Sequence, residues 1–320
     1  MKKRIILLLL ILSILFIIAF SETKNKNNKS ETPYRIAFIR MKEGGQFWAS
    51  MRNGARDART ATSSVLDFYS TMETLDINEQ IKYINQAIND NVDGIVITPC
   101  DNEQLVAPLE KASSMGIKII QLYNEVNYSD KINSIKLMSN TLNMGHDIAN
   151  FYVNDYKEVV RNALIIANTN HITSSNYMID GISRVFKSEK IKYNVLYLTG
   201  DSNNSQYQLK VYLESHSEVD SILALDDYCS ECSVYVTPLF NKDYYIMATG
   251  HSLLNIQNLD NGNIDSILVV NSYAMGYQSV IGMVAILNTQ KFSKTKLDYI
   301  FVTRENMFDE NVQKELFSLL

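Results

Sequence analysis

Short runs of β-branched and apolar residues alternate along the chain with stretches whose apolar positions recur at helical spacing. The clearest unit runs from Asn91 to Tyr123. Ile95, Val96 and Ile97 form an unbroken apolar run, as in a strand buried on both faces of a parallel sheet. Pro99 stops it. Asp101 is a candidate N-cap for the segment that follows, which carries Pro108 and Leu109. Gly116 closes that segment, and Ile117 to Leu122 read as the next strand. The unit is therefore βαβ, with a right-handed crossover expected. Ligands of such sheets bind beyond the carboxyl ends of the strands. Thr98-Pro99-Cys100 and Tyr123-Asn124-Glu125 are thus the first places to look for function.

The same reading extends to both sides. Strands are predicted over 34–40, 64–70, 161–167, 195–198, 221–225, 244–249, 264–270 and 297–303, with a short extended segment over 131–137. Helical spacing covers 47–59, 78–89, 144–155, 176–188, 206–216, 231–241, 253–261, 275–287 and 309–320. Pro238 shortens the helix over 231–241. The alternation runs once before Ser139 and once after it. It predicts an α/β protein with two doubly wound parallel-sheet lobes.

The amino terminus departs from this pattern. Met1-Lys2-Lys3-Arg4 is basic, and Ile5 to Phe20 is apolar except for Ser13. As a helix that run is about 24 Å long, a little short of a hydrocarbon core of roughly 30 Å. Residues 1–20 read as a signal peptide or a signal anchor. Ala19 and Ser21 would permit cleavage after Ser21, and no Cys lies nearby for a lipid anchor. The basic residues precede the apolar run, so the rest of the chain is expected on the outer face of the cytoplasmic membrane, anchored or secreted. Residues 21–33, rich in Asn, Lys, Ser and Thr, read as a disordered tether.

Composition narrows the function classes. In 320 residues, 46% hydrophobic, a sizeable core can be buried and about two domains are expected. A net charge of -5 gives no reason to expect nucleic acid. The 3 cysteines offer no disulfide framework. Cys229 and Cys232 are spaced as C-x-x-C, but without a second pair, a His cluster or a thioredoxin pattern they read as small helix residues. No nucleophile–base pair, metal cluster or phosphate loop is visible. Gly44-Gly45 lacks the following G-K-[S/T]. No enzyme activity, metal or cofactor is expected.

Several motifs carry a family resemblance over Tyr34 to Phe308. Phe47-Trp48 is followed by Gly54-Ala55, and Asp93-Gly94-Ile95-Val96-Ile97-Thr98-Pro99 lies on the third strand. Asn140-Thr141 precedes Gly145, and Asn271-Ser272-Tyr273-Ala274-Met275-Gly276-Tyr277 comes late in the chain. In this order they resemble the type 1 periplasmic binding proteins, the ribose/galactose-binding and LacI-like superfamily. The resemblance implies two lobes joined by a three-segment hinge, with a small ligand between them. The first lobe would be 34–138 plus 273–297 and the second 139–272 plus 298–320. A membrane segment stands where LacI-type regulators carry a DNA-binding domain, which excludes a transcription factor.

The resemblance also implies cleft residues. Phe47 and Trp48 stand at the stacking position, with Gln46 in the same loop. Tyr123 and Asn124 occupy the place of an Asp-Arg pair. Asn140, Asp226 and Asn271 match family positions, and Asn176 and His171 could replace a lost Arg as donors. Asn140 could instead be a hinge residue, Asp226 an N-cap, and His171 a solvated loop residue. Met178, Ser252 and Val270 replace the family's Arg, Asp and Gln, so the charged clamps for vicinal hydroxyls are missing. The expected function is binding of a small, pentose-like sugar. The protein would be a membrane-tethered sensor for a histidine kinase, resembling clostridial xylose sensors. The alternative is the binding component of an ABC importer, with a permease as partner. A further alternative is an interaction protein with a degenerate cleft.

Overall fold

The computed structural model describes residues 33–42, 45–73, 76–137, 141–156, 161–169, 171–199, 201–292 and 298–317. The expected membrane segment over 5–20 and tether up to residue 32 lie outside these residues. Among the described residues no helix is long and apolar enough to cross a membrane.

The first sheet contains β1 (Arg35–Arg40), β2 (Val65–Ser70), β3 (Gly94–Ile97), β4 (Lys118–Leu122) and β5 (Ser134–Leu137), in the order β2-β1-β3-β4-β5. All its pairings are parallel. Helices α1 (Gly45–Thr62), α2 (Ile77–Asn89) and α3 (Val106–Ser114) connect its strands. The second sheet contains β6 (Asn162–Ala167), β7 (Lys192–Tyr197), β8 (Ser221–Ala224), β9 (Tyr245–Thr249), β10 (Ser266–Val270) and β11 (Tyr299–Thr303), in the order β11-β10-β9-β8-β6-β7. It is parallel except for β11, which pairs antiparallel with β10. Its helices are α4 (Thr141–Tyr156), α5 (Thr173–Ser188), α6 (Ser202–Ser215), α7 (Asp227–Val236), α8 (Leu253–Asn261) and α10 (Glu310–Phe317). Helix α9 (Ser272–Leu287) follows β10 and returns to the first sheet, where Met275, Val280 and Met283 join Phe38, Val96 and Ile120.

Both sheets are covered on both faces, which is why their strands read as continuous apolar runs. One core cluster includes Phe38 and Ile120 of the first sheet and Ile165 and Leu268 of the second. The outer faces hold separate cores: Ile39, Ile95 and Ile97 under α2 and α3, and Leu164 and Ile222 beside Cys229 and Cys232. Both of those thiols are buried and free, and burial raises their pKa, for Cys232 to about 12, so they behave as small core residues.

Helix starts differ most from the periodicity. Helix α5 begins at Thr173 rather than 176, and α7 at Asp227 rather than 231. The first turn of α5, Thr173-Ser174-Ser175-Asn176, is polar and carries no apolar spacing to read, and α7 opens directly on its Asp226 cap. Asp101 is not the cap expected of it: Asn102 accepts from Gln104 N at 2.9 Å and opens a short 3-10 turn ahead of α3. The Asp93-Gly94 motif has a plain structural task. Asp93 Oδ2 accepts the first amide of β1, Arg35 N, at 2.8 Å. Asp220 does the same for Asn162 N of β6 at 3.0 Å, and Asp265 accepts from Ile246 N, the second amide of β9, at 2.8 Å. These carboxylates close the amino ends of the strands, away from the candidate cleft.

Two close helix crossings hold the architecture. A Cβ on Gly54 of α1 would collide with Tyr273 O of α9, and one on Gly276 with Met51 O. In the other half a Cβ on Gly145 of α4 would collide with Met178 O of α5, and one on Gly181 with Leu142 O. Gly to Ala in a helix interior ordinarily stabilises by about 0.5–1 kcal/mol. Here Gly54→Ala and Gly145→Ala should each destabilise by about 1–3 kcal/mol through overpacking. Denaturant unfolding checks this, and a gain in stability would show that the helices can move apart without cost.

Candidate ligand cleft

The carboxyl ends of both sheets face one another and are joined by direct hydrogen bonds. Helix α5 begins without a side-chain cap of its own, since its N-cap is Ile172. The missing acceptor comes from the other half: Asn124 Oδ1, after β4, accepts from Ser174 N at 3.0 Å and from Thr173 Oγ1 at 3.4 Å. Glu125 N donates to Thr173 Oγ1 at 2.9 Å, and Asp101 N to His171 O at 2.9 Å. Tyr177 OH donates to Glu125 Oε1 at 2.5 Å, while Lys136 Nζ lies 2.5 Å from Glu125 Oε2. Burial would raise the Glu125 pKa, but the bonds from Lys136, Tyr177 and Asn127 outweigh it and hold the group below its ordinary value. The pairing therefore stabilises above the ordinary Glu range and is lost as pH falls through the lower pKa of Glu125.

Tyr123 sits at a tight turn between β4 and this clasp. Its φ is 64°, in the left-handed region, and Asn124 N donates to Leu122 O at 2.7 Å. A bulky residue in that region is strained, and such strain concentrates at functional sites. The turn directs the Tyr123 ring to Phe47, with centroids 5.1 Å apart, and Phe47 meets Trp48 edge-on at 5.0 Å. All three rings are half-buried. Burial pushes the Tyr123 phenol up to about 12; Ser174 opposes this, while Asp226 and Asp227 reinforce it.

Those carboxylates come from the end of β8. Asp226 is the N-cap of α7 and accepts from Cys229 N at 2.7 Å. Asp227 begins the helix and turns toward the next loop, where its Oδ1 accepts from Ser252 N at 2.9 Å and Asn255 Nδ2 at 3.0 Å. A Cβ on Gly250, whose φ is +101°, would strike this carboxylate, so the residue there must be glycine. On the opposite side, Asp227 Oδ2 lies 3.7 Å from where a Cβ on Gly45 would stand, at the start of α1. Asp227 therefore binds the loop after β9 and lies near the start of α1. Burial raises its pKa to about 7, helped by Asp226 and Glu231. His251 beside it is lowered by burial to about 4 and stays neutral. Asn124 Nδ2, Ser174 Oγ and Asn255 Oδ1 are buried without hydrogen-bond partners.

The structure brings Phe47, Trp48, Tyr123 and Asn124 together with Asp226. Gln46 is the second residue of α1 and half-buried. Asn176 lies on α5, where Tyr197 OH donates to its Oδ1 at 3.5 Å. Asn271 caps α9, accepting from Ala274 N at 2.8 Å. Asn140 lies outside the described residues. His171 is exposed, and Met178 is wholly in the core. Sequence reasoning passed over Asp227, Ser174, Asn255 and the Glu125–Tyr177 clasp. The Asp226-Asp227 step was visible, but only the geometry tells its cap from its cleft-facing partner.

A sequence profile described as the periplasmic binding protein domain matches residues 36–291. The chain belongs to this family, and to its type 1 architecture; membership implies an extracytoplasmic location. A D-ribose/D-allose-binding protein of Pseudomonas aeruginosa is 29% identical over 99 residues, which cover 30% of this chain and 31% of the relative. That match thus spans about a third of the relative's length. An ABC transporter solute-binding protein of Agrobacterium vitis, solved with α-D-tagatopyranose, superposes with a TM-score of 0.80 at 19% identity, covering 88% of this chain and 99% of that one. A carbohydrate transporter solute-binding protein of Agrobacterium radiobacter, in complex with D-arabinose, gives a TM-score of 0.80 at 18% identity, covering 90% and 100%. These two likenesses concern the fold.

The clasp generates a prediction. Tyr177→Phe removes a hydrogen bond to a buried carboxylate, a loss of roughly 1.5–3 kcal/mol. Hydrogen exchange at the Ser174 amide, measured by NMR, should accelerate by at least about tenfold. Unchanged exchange would mean that the crossing at Asn124 does not depend on the clasp.

Proposed function

We propose that the chain is an extracytoplasmic, non-catalytic binding protein for a small sugar or sugar-like molecule, held where the two sheets meet. The observation that carries this reading is the half-buried trio Phe47, Trp48 and Tyr123 set against Asp227 at the meeting of strand ends. Aromatic faces suit the C–H surface of a sugar ring, and fixed polar groups suit its hydroxyls. Gln46, Asn124, Asn176, Asp226 and Asn271 border this region in the reading, and Asn140 belongs to it by resemblance. The lobes, 34–138 plus 273–297 and 139–272 plus 298–320, would close by hinge motion, and the ligand would shift that equilibrium by its preference for the closed form.

Of the two roles expected from the sequence, the importer component is better supported than the sensor. The solved proteins of like fold include ABC transporter solute-binding proteins. The sensor reading rests on the apolar run over 5–20 and the lack of a following Cys. Loss of ligand uptake on deletion would favour the importer, with a permease as partner. Ligand-dependent phosphorylation of a histidine kinase would favour the sensor.

Trp48 is the only Trp among the 320 residues, so its emission reports on the site directly. Titration with pentoses, hexoses, inositols, amino sugars and sugar acids should give at least one saturable response. Trp48→Ala, followed by calorimetry, should weaken that ligand by more than about tenfold, roughly 1.4 kcal/mol. An unchanged affinity would remove Trp48 from the site, and silence across the panel would contradict the function.

A further inference from the structure

The cleft contains an unmet electrostatic requirement. Asp226 and Asp227 are adjacent; burial raises the pKa of both, and the Asp226 carboxylate raises that of Asp227 further. Among the described residues neither forms an ion pair; their partners are backbone amides and Asn255. The charged groups around them do not supply the missing cation. Glu231 is acidic and raises Asp227 further, and His251 is held neutral. Across the cleft, Asp101 and Glu125 are acidic as well, and Lys136 is committed to Glu125. Arg40, buried at the end of β1, already has a partner of its own. A desolvated carboxylate is neutralised either by a proton or by an opposite charge.

The surroundings favour an organic cation over a metal ion. Among the described residues no group of three or more His, Cys, Asp or Glu could hold a metal. Phe47, Trp48 and Tyr123 instead form a half-buried aromatic trio, and the Tyr123 phenol senses both carboxylates. Aromatic faces attract cations through the ring quadrupole, most strongly where water is excluded. Asn255 is wholly buried; its Nδ2 is bound to Asp227, and its Oδ1 is an acceptor without a partner. A carboxylate, an orphan acceptor and aromatic faces are what an ammonium group needs. Asn124 Nδ2, also buried and without a hydrogen-bond partner, remains for a neutral hydroxyl of the same ligand.

We propose that the cleft is selective for a sugar or polyol carrying an ammonium group, with Asp227, supported by Asp226, as its counter-ion. This rests on the reading of the cleft as a small-ligand site and specifies the ligand class. The ammonium would offset the desolvation that raises the Asp227 pKa to about 7 in the free protein. Sugar acids are disfavoured by the same carboxylates.

The test is calorimetric titration of the full chain, kept in mild detergent. D-glucosamine and D-galactosamine are compared with D-glucose, D-galactose and the two N-acetyl derivatives, which keep the ring and lose the charge. At least one amino sugar should bind about tenfold or more tightly than both its neutral parent and its N-acetyl form. Asp227→Asn should reduce that preference to under about threefold. Asp226→Asn is the second variant, because Asn caps a helix as well as Asp does and the fold is kept; it should also weaken the preference. Equal or tighter binding of the neutral parent overturns the inference and leaves the sugar-binding reading standing. A preference that persists in both variants also overturns it. No binding by any of the six compounds overturns the inference, while the sugar-binding reading falls only if the wider panel of pentoses, hexoses, inositols and sugar acids is silent as well.

Discussion

Helices that follow parallel strands all begin at the same end of the sheet, and each exposes backbone amides there that need acceptors. In this protein that constraint decides what the polar residues of the cleft do. Asp226 serves α7, Ser252 serves α8 and Asn271 serves α9, each from its own chain segment. Helix α5 has no such residue and takes Asn124 from the other sheet. The same hydrogen bond therefore completes a helix and joins the two halves. Residues that would otherwise be free for a ligand are engaged in capping. What remains is a small set, with Asp227 the largest charge in it.

Asp227 is held by elements that are distant in sequence. The left-handed Gly250 leaves space for its carboxylate, Ser252 and Asn255 bind one oxygen, and the start of α1 faces the other. Placing a carboxylate at a helix N-terminus is favourable, yet burial and a second carboxylate prevail and hold its pKa near 7. The site thus has an electrostatic need in the free state that a ligand or a proton can meet. The strained Tyr123 turn sets the aromatic trio and the Asn124 bridge from one short stretch.

The fold was largely legible because both sheets are buried on both faces, so their strands appear as unbroken apolar runs such as Ile95-Val96-Ile97. The second sheet's antiparallel edge strand was not legible, since strand direction leaves no mark on composition. Helix starts were read late wherever the first turn was polar, as at Thr173-Ser174-Ser175. Phe47 and Trp48 are marked as cleft candidates by their order and type, and the structure sets them beside Tyr123. The polar residues of the site were harder, because an Asp or Asn beside a helix start reads the same whether it caps that helix, as Asp226 and Asn271 do, or turns toward the cleft, as Asp227 does. Ser174 and Asn255 look like ordinary surface residues of a helix until tertiary packing buries them.

Among the described residues, the desolvated Asp227 carboxylate of the cleft has no ion-pair partner. Carboxyl carbon-13 NMR titration of the free protein tests it most directly, with the Asp227 resonance assigned by its absence in Asp227→Asn. The account predicts a midpoint near 7 for that resonance. A midpoint near the ordinary Asp value, about 3.9, would contradict it, because the carboxylate would then be solvated or already paired.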